Sequence, residues 1–186
     1  MPCPAIFLDR DGVINENRSD YVKSWAEFVF LPGALEALRK LADLDRPVIV
    51  ISNQSAIGRG IVDRETIDEI NARMMDAVRA AGGRIDGVLY CPHRPDEGCI
   101  CRKPRPGLLL LAAGRFGLDL CASYLIGDAE SDILAAHAAG CRAILVKSGR
   151  GAEQLQLLQQ HGINGFHVAD DLSHAVAWLL RKEQHG

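Results

Sequence analysis

The sequence predicts an α/β fold in which helices cover both faces of a doubly wound, mostly parallel sheet. Short apolar runs rich in β-branched residues alternate along the chain with segments whose apolar residues recur at helical spacing. The runs are apolar throughout, which is typical of strands buried on both faces of a parallel sheet. Strands are expected at residues 5–8, 47–52, 87–90, 124–127, 143–146 and 165–168.

Helices are expected between these strands, at residues 34–44, 63–81, 108–116, 131–139, 152–161 and 173–181. The second of them illustrates the reasoning. It opens on Asp63, a residue type that commonly caps helix amino termini. Its apolar residues fall on one helical face: Ile67, Ile70, Met74, Val78 and Ala81.

Length and composition indicate one globular domain spanning residues 1–186, with 48% hydrophobic and 24% charged residues. The net charge of −3 and the lack of a basic run disfavour nucleic acid as the ligand. The apolar stretches are too short to span a bilayer, and the amino terminus does not resemble a secretory signal. We therefore expect a cytoplasmic protein that binds a small molecule and neither nucleic acid nor membrane. Because the sequence shows no obvious exposed apolar stripe, we expect the protein to be a monomer.

Polar residues cluster directly after the predicted strands. Ligands bind to α/β sheets outside the carboxyl ends of the strands, so these positions are candidates for a site. They are occupied by Asp9, Asp11, Ser52, Asn53, Gln54 and Asp128, with Arg102 and Lys103 after a cysteine cluster.

The carboxylates of Asp9, Asp11 and Asp128 are hard oxygen ligands of the kind that Mg²⁺ prefers. Among such groups, one carboxylate can attack phosphorus, and a second can protonate the leaving oxygen and then activate water. Asp132 has two interpretations, because an acid at this position either supports the site or begins a helix.

Three further residues are suited to phosphate. Ser52 and the backbone amide of Asn53 can hold phosphate oxygens, and Lys103 supplies a compact positive charge. The residues therefore predict magnesium-assisted phosphoryl transfer.

Cys91, His93, Cys99 and Cys101 have the composition and close spacing of a tetrahedral zinc site. Three thiolates and one imidazole fill all four positions, so we expect a structural zinc that folds the loop before Lys103. The remaining cysteines, Cys3, Cys121 and Cys141, are expected to be small buried residues.

Four stretches, "FLDRDGVI", "VISNQS", "CRKPRPG" and "LIGDAESDI", resemble in order and spacing the motifs of the haloacid dehalogenase (HAD) superfamily of phosphatases. The resemblance covers nearly the whole chain and implies a HAD-like Rossmannoid fold. It implies that Asp9 is the nucleophile and that Asp11 is the general acid/base, whose backbone carbonyl also binds Mg²⁺. It assigns the other motif residues to phosphate or metal: Ser52, Asn53 and Lys103 to phosphate, and Asp128 to Mg²⁺.

The zinc cluster and the stretches "SNQSAIGRG" and "CICRKPRPG" are similar to those of the heptose-bisphosphate phosphatases of that superfamily. This resemblance implies removal of the 7-phosphate of D-glycero-D-manno-heptose 1,7-bisphosphate, leaving heptose 1-phosphate for cell-envelope lipopolysaccharide. It also implies that Arg102 recognises the substrate. One position departs from the pattern, since Ala129 follows Asp128 where the resemblance predicts a lysine.

The intervals between the motifs are too short for a separate cap domain, so we expect a capless fold with a zinc-binding loop. Specificity must then come from short elements, namely residues 15–21, residues 54–60 and the loop that carries the predicted zinc ligands. Within residues 54–60, Gln54 and Ser55 are expected substrate contacts. Arg18 and Arg59 are candidates to bind a second phosphate.

Three alternatives stay open on the sequence. Histidinol-phosphate phosphatases share the same motifs, and a 3′-phosphatase of nucleic-acid ends is disfavoured by the acidic balance. A catalytically silent, zinc-stabilised binding module would be expected to lack Asp9 or Lys103, and both are present.

Overall fold

In the computed structural model, which describes residues 2–184, six parallel strands form one sheet in the order β3-β2-β1-β4-β5-β6. The predicted strands are confirmed to within one residue at either end. They are β1 (Ile6–Leu8), β2 (Val48–Asn53), β3 (Gly87–Cys91), β4 (Tyr124–Gly127), β5 (Arg142–Val146) and β6 (Phe166–Ala169). The two ends of the predicted domain, residue 1 and residues 185–186, lie outside the described residues.

The helices also follow the prediction. They are α1 (Ala34–Leu41), α2 (Ser55–Gly58), α3 (Arg64–Ala80), α4 (Gly107–Phe116), α5 (Glu130–Ala139), α6 (Gly151–Gln160) and α7 (Leu172–Gln184). Helix α1 is shorter than expected because the chain tightens after Leu41, where Leu44 donates to the Leu41 carbonyl three residues back. Helix α2 lies where the sequence predicts a loop, since its single turn is too short to show helical periodicity.

The sheet is covered on both faces, as a doubly wound fold requires. Alternate residues of β1 enter opposite layers, because successive strand side chains point to opposite faces. Ile6 and Leu8 pack into a core formed with α1, α3 and α7. Phe7 packs into a second core formed with α4, α5 and α6.

Strand β1 pairs with β2 on one side and β4 on the other. The crossovers from these strands therefore leave in opposite directions and open a crevice at the carboxyl ends of β1 and β4, which is where ligands bind in such sheets. The Asp9 amide donates to the Ile126 carbonyl of β4 over 2.9 Å, which anchors Asp9 in that crevice.

The crossovers agree with a capless fold. Within residues 2–184, the β1–β2 connection holds a short 3₁₀ helix (Trp25–Glu27) and α1, and the β2–β3 connection holds α2 and α3. The loop of residues 15–30 is closed by an antiparallel bridge between Asn15 and Phe30 and borders the crevice. Across residues 2–184, no helix combines the length and the apolar character that a bilayer crossing requires.

Candidate active site

The carboxyl ends of β1, β2 and β4 surround a cavity of about 430 Å³. Every predicted catalytic or substrate-binding residue lines it: Asp9, Asp11, Ser52, Asn53, Gln54, Ser55, Arg102 and Lys103. Arg18 and Arg59 line its rim, and Arg150 joins them from the β5–α6 loop. Asp128, fully buried, extends the acidic cluster next to Asp9.

Lys103 is the buried cation of the site. Its ammonium lies 2.9 Å from Asp9 Oδ1 and 2.5 Å from Asp132 Oδ1, and it donates to the Ile51 carbonyl over 2.8 Å. Asn53 fixes the backbone of the same residue, since its amide group donates to the Lys103 carbonyl and accepts from the Lys103 amide, each over 3.1 Å. The loop carrying Lys103 is thus attached to the end of β2.

The charges of this cluster perturb one another. Burial raises the pKa of Asp9 to about 6, with Lys103 opposing the shift and Asp132 adding to it. Burial also raises the pKa of Asp128 to about 7, reinforced by Asp9 and Asp132. Burial opposes the charged form of Lys103, but Asp132 and Asp9 outweigh it and hold the Lys103 pKa above its ordinary value. The buried ammonium therefore pairs with two of the three buried carboxylates, Asp9 and Asp132.

The acidic cluster fits a divalent cation bound through oxygen. Carboxylate oxygens of Asp9, Asp128 and Asp132 all lie within 4.8 Å of one another. Asp128 Oδ2 accepts from the Arg150 amide over 2.9 Å, whereas the buried Oδ1 has no hydrogen-bond donor among the described residues. A buried carboxylate oxygen without a donor is costly unless a cation neutralises it.

Asp132 has both of the roles that the sequence left open, since it supports the site and also begins a helix. One oxygen pairs with Lys103, and the other accepts from the Ala129 amide over 3.1 Å at the start of α5. Both of its oxygens are engaged within the protein, which leaves Asp9 and Asp128 as the carboxylates available to a cation.

The Asp11 carboxylate lines the same cavity as Asp9 and is held by three neighbouring side chains. Its two oxygens accept from the Arg10 guanidinium, from Asn15 Nδ2 over 2.9 Å and from Gln54 Nε2 over 2.8 Å. The backbone carbonyl of Asp11, not this carboxylate, is the group that the resemblance implies for Mg²⁺. Sequence analysis did not select Arg10 and included Asn15 only as the first residue of segment 15–21. The available signal was an arginine placed between two aspartates.

The β5–α6 loop closes the crevice behind Gly12. Gly12 has φ of 91° and a Cβ there would lie 2.1 Å from Asp128 Oδ2, so only glycine is accommodated. Ser148 Oγ donates to the Gly12 carbonyl over 2.8 Å. Sequence analysis did not select this loop, whose contacts to Gly12 join residues more than 130 positions apart. It also brings Arg150 to Asp128, beside Ala129, where the resemblance predicted a lysine.

Ser52 and Gln54 form the other wall of the cavity. Gln54 Nε2 lies 2.8 Å from Ser52 Oγ and 2.8 Å from Asp11 Oδ2, so one amide links the two side chains. Ser55 begins α2 and lies against the same cavity. The predicted phosphate-binding residues thus line the same cavity as Asp9 and Asp11.

Cys91, His93, Cys99 and Cys101 converge on one point. The three sulfurs lie 3.2–3.5 Å from one another, and His93 Nδ1 lies 3.5 Å from Cys91 Sγ and 3.3 Å from Cys101 Sγ. Zinc at ~2.3 Å from each thiolate separates tetrahedral sulfurs by ~3.8 Å, so a small outward shift makes the set fit zinc. These cysteines are free thiols, in agreement with a metal site rather than a disulfide. Of the three other cysteines, Cys141 is buried as predicted, whereas Cys3 is half-buried and Cys121 is exposed, so the prediction is wrong for Cys121.

The loop of residues 91–101, which we call the zinc loop, contacts residues that line the cavity on two sides. Arg102, the residue before Lys103, places its Nη1 3.4 Å from the His93 carbonyl. On the other side, the backbone amide of Gln54 donates to the Cys91 carbonyl over 2.7 Å. The zinc loop therefore supports both Gln54 and Lys103.

The arginines at the rim differ in how far they are committed to other groups. Arg18 pairs with Asp20 at 3.1 Å, lies 3.9 Å from Glu27 and donates to the Tyr21 carbonyl. Arg59 and Arg150 are exposed at the cavity rim, and Arg102 is half-buried. Arg18 is thus the least available of the four for a ligand.

Comparison with known proteins agrees with this geometry. The family model described as HAD-hydrolase-like matches residues 100–175. A D-glycero-beta-D-manno-heptose-1,7-bisphosphate 7-phosphatase of Pseudomonas aeruginosa is 39% identical, over 97% of this chain and all of that protein. The chain belongs to the HAD-like hydrolases, in the family of this phosphatase.

Other members of this HAD-like family agree. The enzyme of the same name from Bordetella bronchiseptica is 40% identical over 95% of this chain and 98% of its own. A crystal structure of D,D-heptose 1,7-bisphosphate phosphatase from B. bronchiseptica, complexed with magnesium and phosphate, superposes with a TM-score of 0.90. That superposition covers 96% of this chain and 99% of the other, at 39% identity.

Proposed function

We propose that this HAD-like phosphatase removes the 7-phosphate of D-glycero-β-D-manno-heptose 1,7-bisphosphate and releases heptose 1-phosphate. The observation that carries the proposal is the pairing of Asp9 with the buried Lys103 at the bottom of a cavity. Relatives named for this reaction are 39–40% identical over nearly the whole chain, and their names supply the β anomer, which the sequence analysis left open.

In the first step, a carboxylate oxygen of Asp9 attacks phosphorus as the bond from phosphorus to the sugar oxygen breaks. Asp11 donates its proton to that leaving oxygen, so the product departs as an alcohol. Lys103, 2.9 Å from Asp9, offsets the negative charge that gathers around the aspartyl phosphate.

In the second step, water attacks the aspartyl phosphate. Asp11, now a carboxylate, takes a proton from this water as the new bond to phosphorus forms. The bond between phosphorus and Asp9 breaks, which releases inorganic phosphate and restores both aspartates. Ser52 and the Asn53 amide hold phosphate oxygens through both steps.

The side chains of Asp9 and Asp128, with the backbone carbonyl of Asp11, would hold Mg²⁺. When bound, Mg²⁺ supplies the positive charge that lets these close carboxylates stay ionised beside a phosphate. The donor-free oxygen of Asp128 supports this assignment.

The zinc loop serves structure rather than chemistry in this proposal. Its four ligands fill a tetrahedral set, so no coordination position is left for substrate. Zinc would hold Gln54 and Lys103 in place through the contacts of Cys91 and His93.

The 1-phosphate of the substrate needs cations at the cavity rim. Arg102 adjoins Lys103, and Arg59 and Arg150 are exposed at the same rim, so these three are the proposed contacts. Arg18, a candidate on sequence, is a weaker one because Asp20 and Glu27 neutralise it.

We infer that the product enters cell-envelope lipopolysaccharide synthesis and that the enzyme works in the cytoplasm as a monomer. The six unpaired cysteines support a reducing compartment, because disulfides are rare there. The monomeric state stays a prediction, for which size-exclusion chromatography with light scattering is the test.

Phosphate release with Mg²⁺ tests the function, using both anomers of heptose 1,7-bisphosphate and histidinol phosphate as substrates. Asp9→Asn is the blank. We expect a preference of at least about tenfold in kcat/KM for the β anomer. A preference for histidinol phosphate would keep the chemistry and overturn the substrate, and no release from any of them would overturn both.

A further inference from the structure

Arg10 is the largest fully buried side chain among residues 2–184, although it lies between two catalytic candidates on a loop. Its side chain is 1% exposed, whereas that of its partner Asp11 is 22% exposed. A guanidinium this deep is costly unless its donors are matched and a carboxylate pairs with it.

The Arg10 guanidinium is held from several directions. Its Nε and Nη2 donate to Oδ2 and Oδ1 of Asp11 over 3.1 and 3.2 Å, a bidentate pair. Its Nη1 donates to Asn71 Oδ1 of α3 over 3.1 Å. The Phe28 ring lies 6.0 Å from the guanidinium carbon. Groups from both crossovers therefore fix the plane of the guanidinium.

The same pair fixes Asp11. Arg10 lies behind the carboxylate, in the protein interior, and the exposed edge of Asp11 borders the cavity. Asn15 and Gln54 take the remaining acceptor positions, and Gln54 also bonds Ser52. The carboxylate is thus held at one orientation beside the residue proposed to bind phosphate.

We propose that Arg10 is a positioning residue that orients the Asp11 carboxylate toward the leaving oxygen and then toward the attacking water. Asn71 supports this role by fixing Arg10 in turn. The inference rests on the proposed function, because it assumes that Asp11 transfers protons. General acid–base catalysis contributes about 10²–10⁴-fold to rates, and it depends on reach to within hydrogen-bond distance.

The test is a double-variant cycle of Arg10→Lys and Asp11→Asn, with phosphate release from heptose 1,7-bisphosphate as the readout. Lysine keeps the charge of Arg10 but cannot form the bidentate fork. We expect Arg10→Lys to lower kcat about 10- to 100-fold with KM within about threefold, as expected for lost acid–base positioning. In the Asp11→Asn background, the same substitution should change kcat by less than about twofold, because the group that it orients is gone.

A structural role for Arg10 would give the opposite pattern. If Arg10→Lys lowers kcat by the same factor in both backgrounds, or leaves it unchanged in the wild-type background, the proposal is overturned. Arg46→Lys is the matched control, since Arg46 also pairs with a carboxylate, Glu183 at 2.6 Å, ahead of the amino end of β2. It should leave kcat unchanged.

Asn71→Leu provides a second route should Arg10→Lys fold poorly. It removes the acceptor of Arg10 Nη1 and leaves the Arg10–Asp11 pair intact, so a smaller fall in kcat is expected, again absent in the Asp11→Asn background. Equal falls in the two backgrounds would overturn the inference. A wild-type protein that releases no phosphate would instead overturn the proposed function, which separates the two failures.

Discussion

Lys103 Nζ lies 2.5 Å from Oδ1 of Asp132, and both side chains are almost completely buried. The same ammonium is 2.9 Å from Asp9 Oδ1, so Asp132 fixes the cation that lies beside the proposed nucleophile. Asp132 also caps the start of α5 through the Ala129 amide, which makes it a rigid support. The position of Lys103 at the site therefore depends on a residue that has no oxygen free for substrate.

Asp132→Asn should lower kcat about tenfold or more, because the amide cannot hold the ammonium by charge. It should also cost about 1–3 kcal/mol of the free energy of unfolding through the weakened buried pair. Steady-state kinetics and urea denaturation measure the two effects. Glu36→Gln, which breaks a surface pair with Arg39, is the control and should change neither. Wild-type kinetics in Asp132→Asn would contradict the assignment.

Asp9→Asn should abolish turnover and raise the melting temperature of the metal-free protein. Turnover depends on a carboxylate nucleophile, which asparagine lacks. The raised pKa of Asp9, about 6, means that its charged form is unfavourable in the fold at pH 8, and the neutral amide removes that cost. Kinetics and differential scanning calorimetry at pH 8 are the measurements. Retained activity would rule out Asp9 as nucleophile.

The stabilisation that Mg²⁺ gives should depend on pH. Burial raises the pKa of Asp9 to about 6 and that of Asp128 to about 7, from 3.8. Between these limits the folded state binds more protons than the unfolded state, so the metal-free protein loses stability as pH rises through this window. A cation offsets the loss where the carboxylates are charged.

Thermal unfolding with and without Mg²⁺ at pH 5.5 and pH 8 measures this dependence. We expect the larger upward shift in melting temperature at pH 8. Asp128→Asn should reduce the difference between the two pH values, because it removes one of the two shifted groups. An equal shift at both pH values would count against binding by these carboxylates.

Loss of zinc should lower activity, although none of the zinc ligands is a carboxylate of the active site. The purified protein should contain one zinc per chain by elemental analysis, and Cys101→Ser should reduce that content. Because the zinc loop contacts Gln54 and precedes Lys103, kcat should fall about tenfold or more. Cys121→Ser, which changes an exposed thiol outside the cluster, should leave zinc content and kcat unchanged. A zinc-free native protein would remove the structural-zinc hypothesis.

The strands, the longer helices and the chemical types at the site could all be predicted from the sequence. Apolar runs predicted the six strands to within one residue at either end, because a run that is apolar throughout reflects burial on both faces. Close spacing predicted the zinc cluster, since Cys91, His93, Cys99 and Cys101 lie within one short loop. The Asp9 and Asp11 pair was visible for the same reason.

Which side chains hold those groups in place became clear from the three-dimensional structure. Arg10 meets Asn71 across 61 positions, and Ser148 meets Gly12 across 136 positions. Lys103 bonds the carbonyl of Ile51, 52 positions earlier. No local pattern encodes these contacts, because they depend on strand order and on the direction in which each crossover returns to the sheet. The partners of a buried charged residue such as Arg10 or Lys103 come from distant parts of the chain. They can be identified only once the carboxyl ends of β1, β2 and β4 are placed side by side.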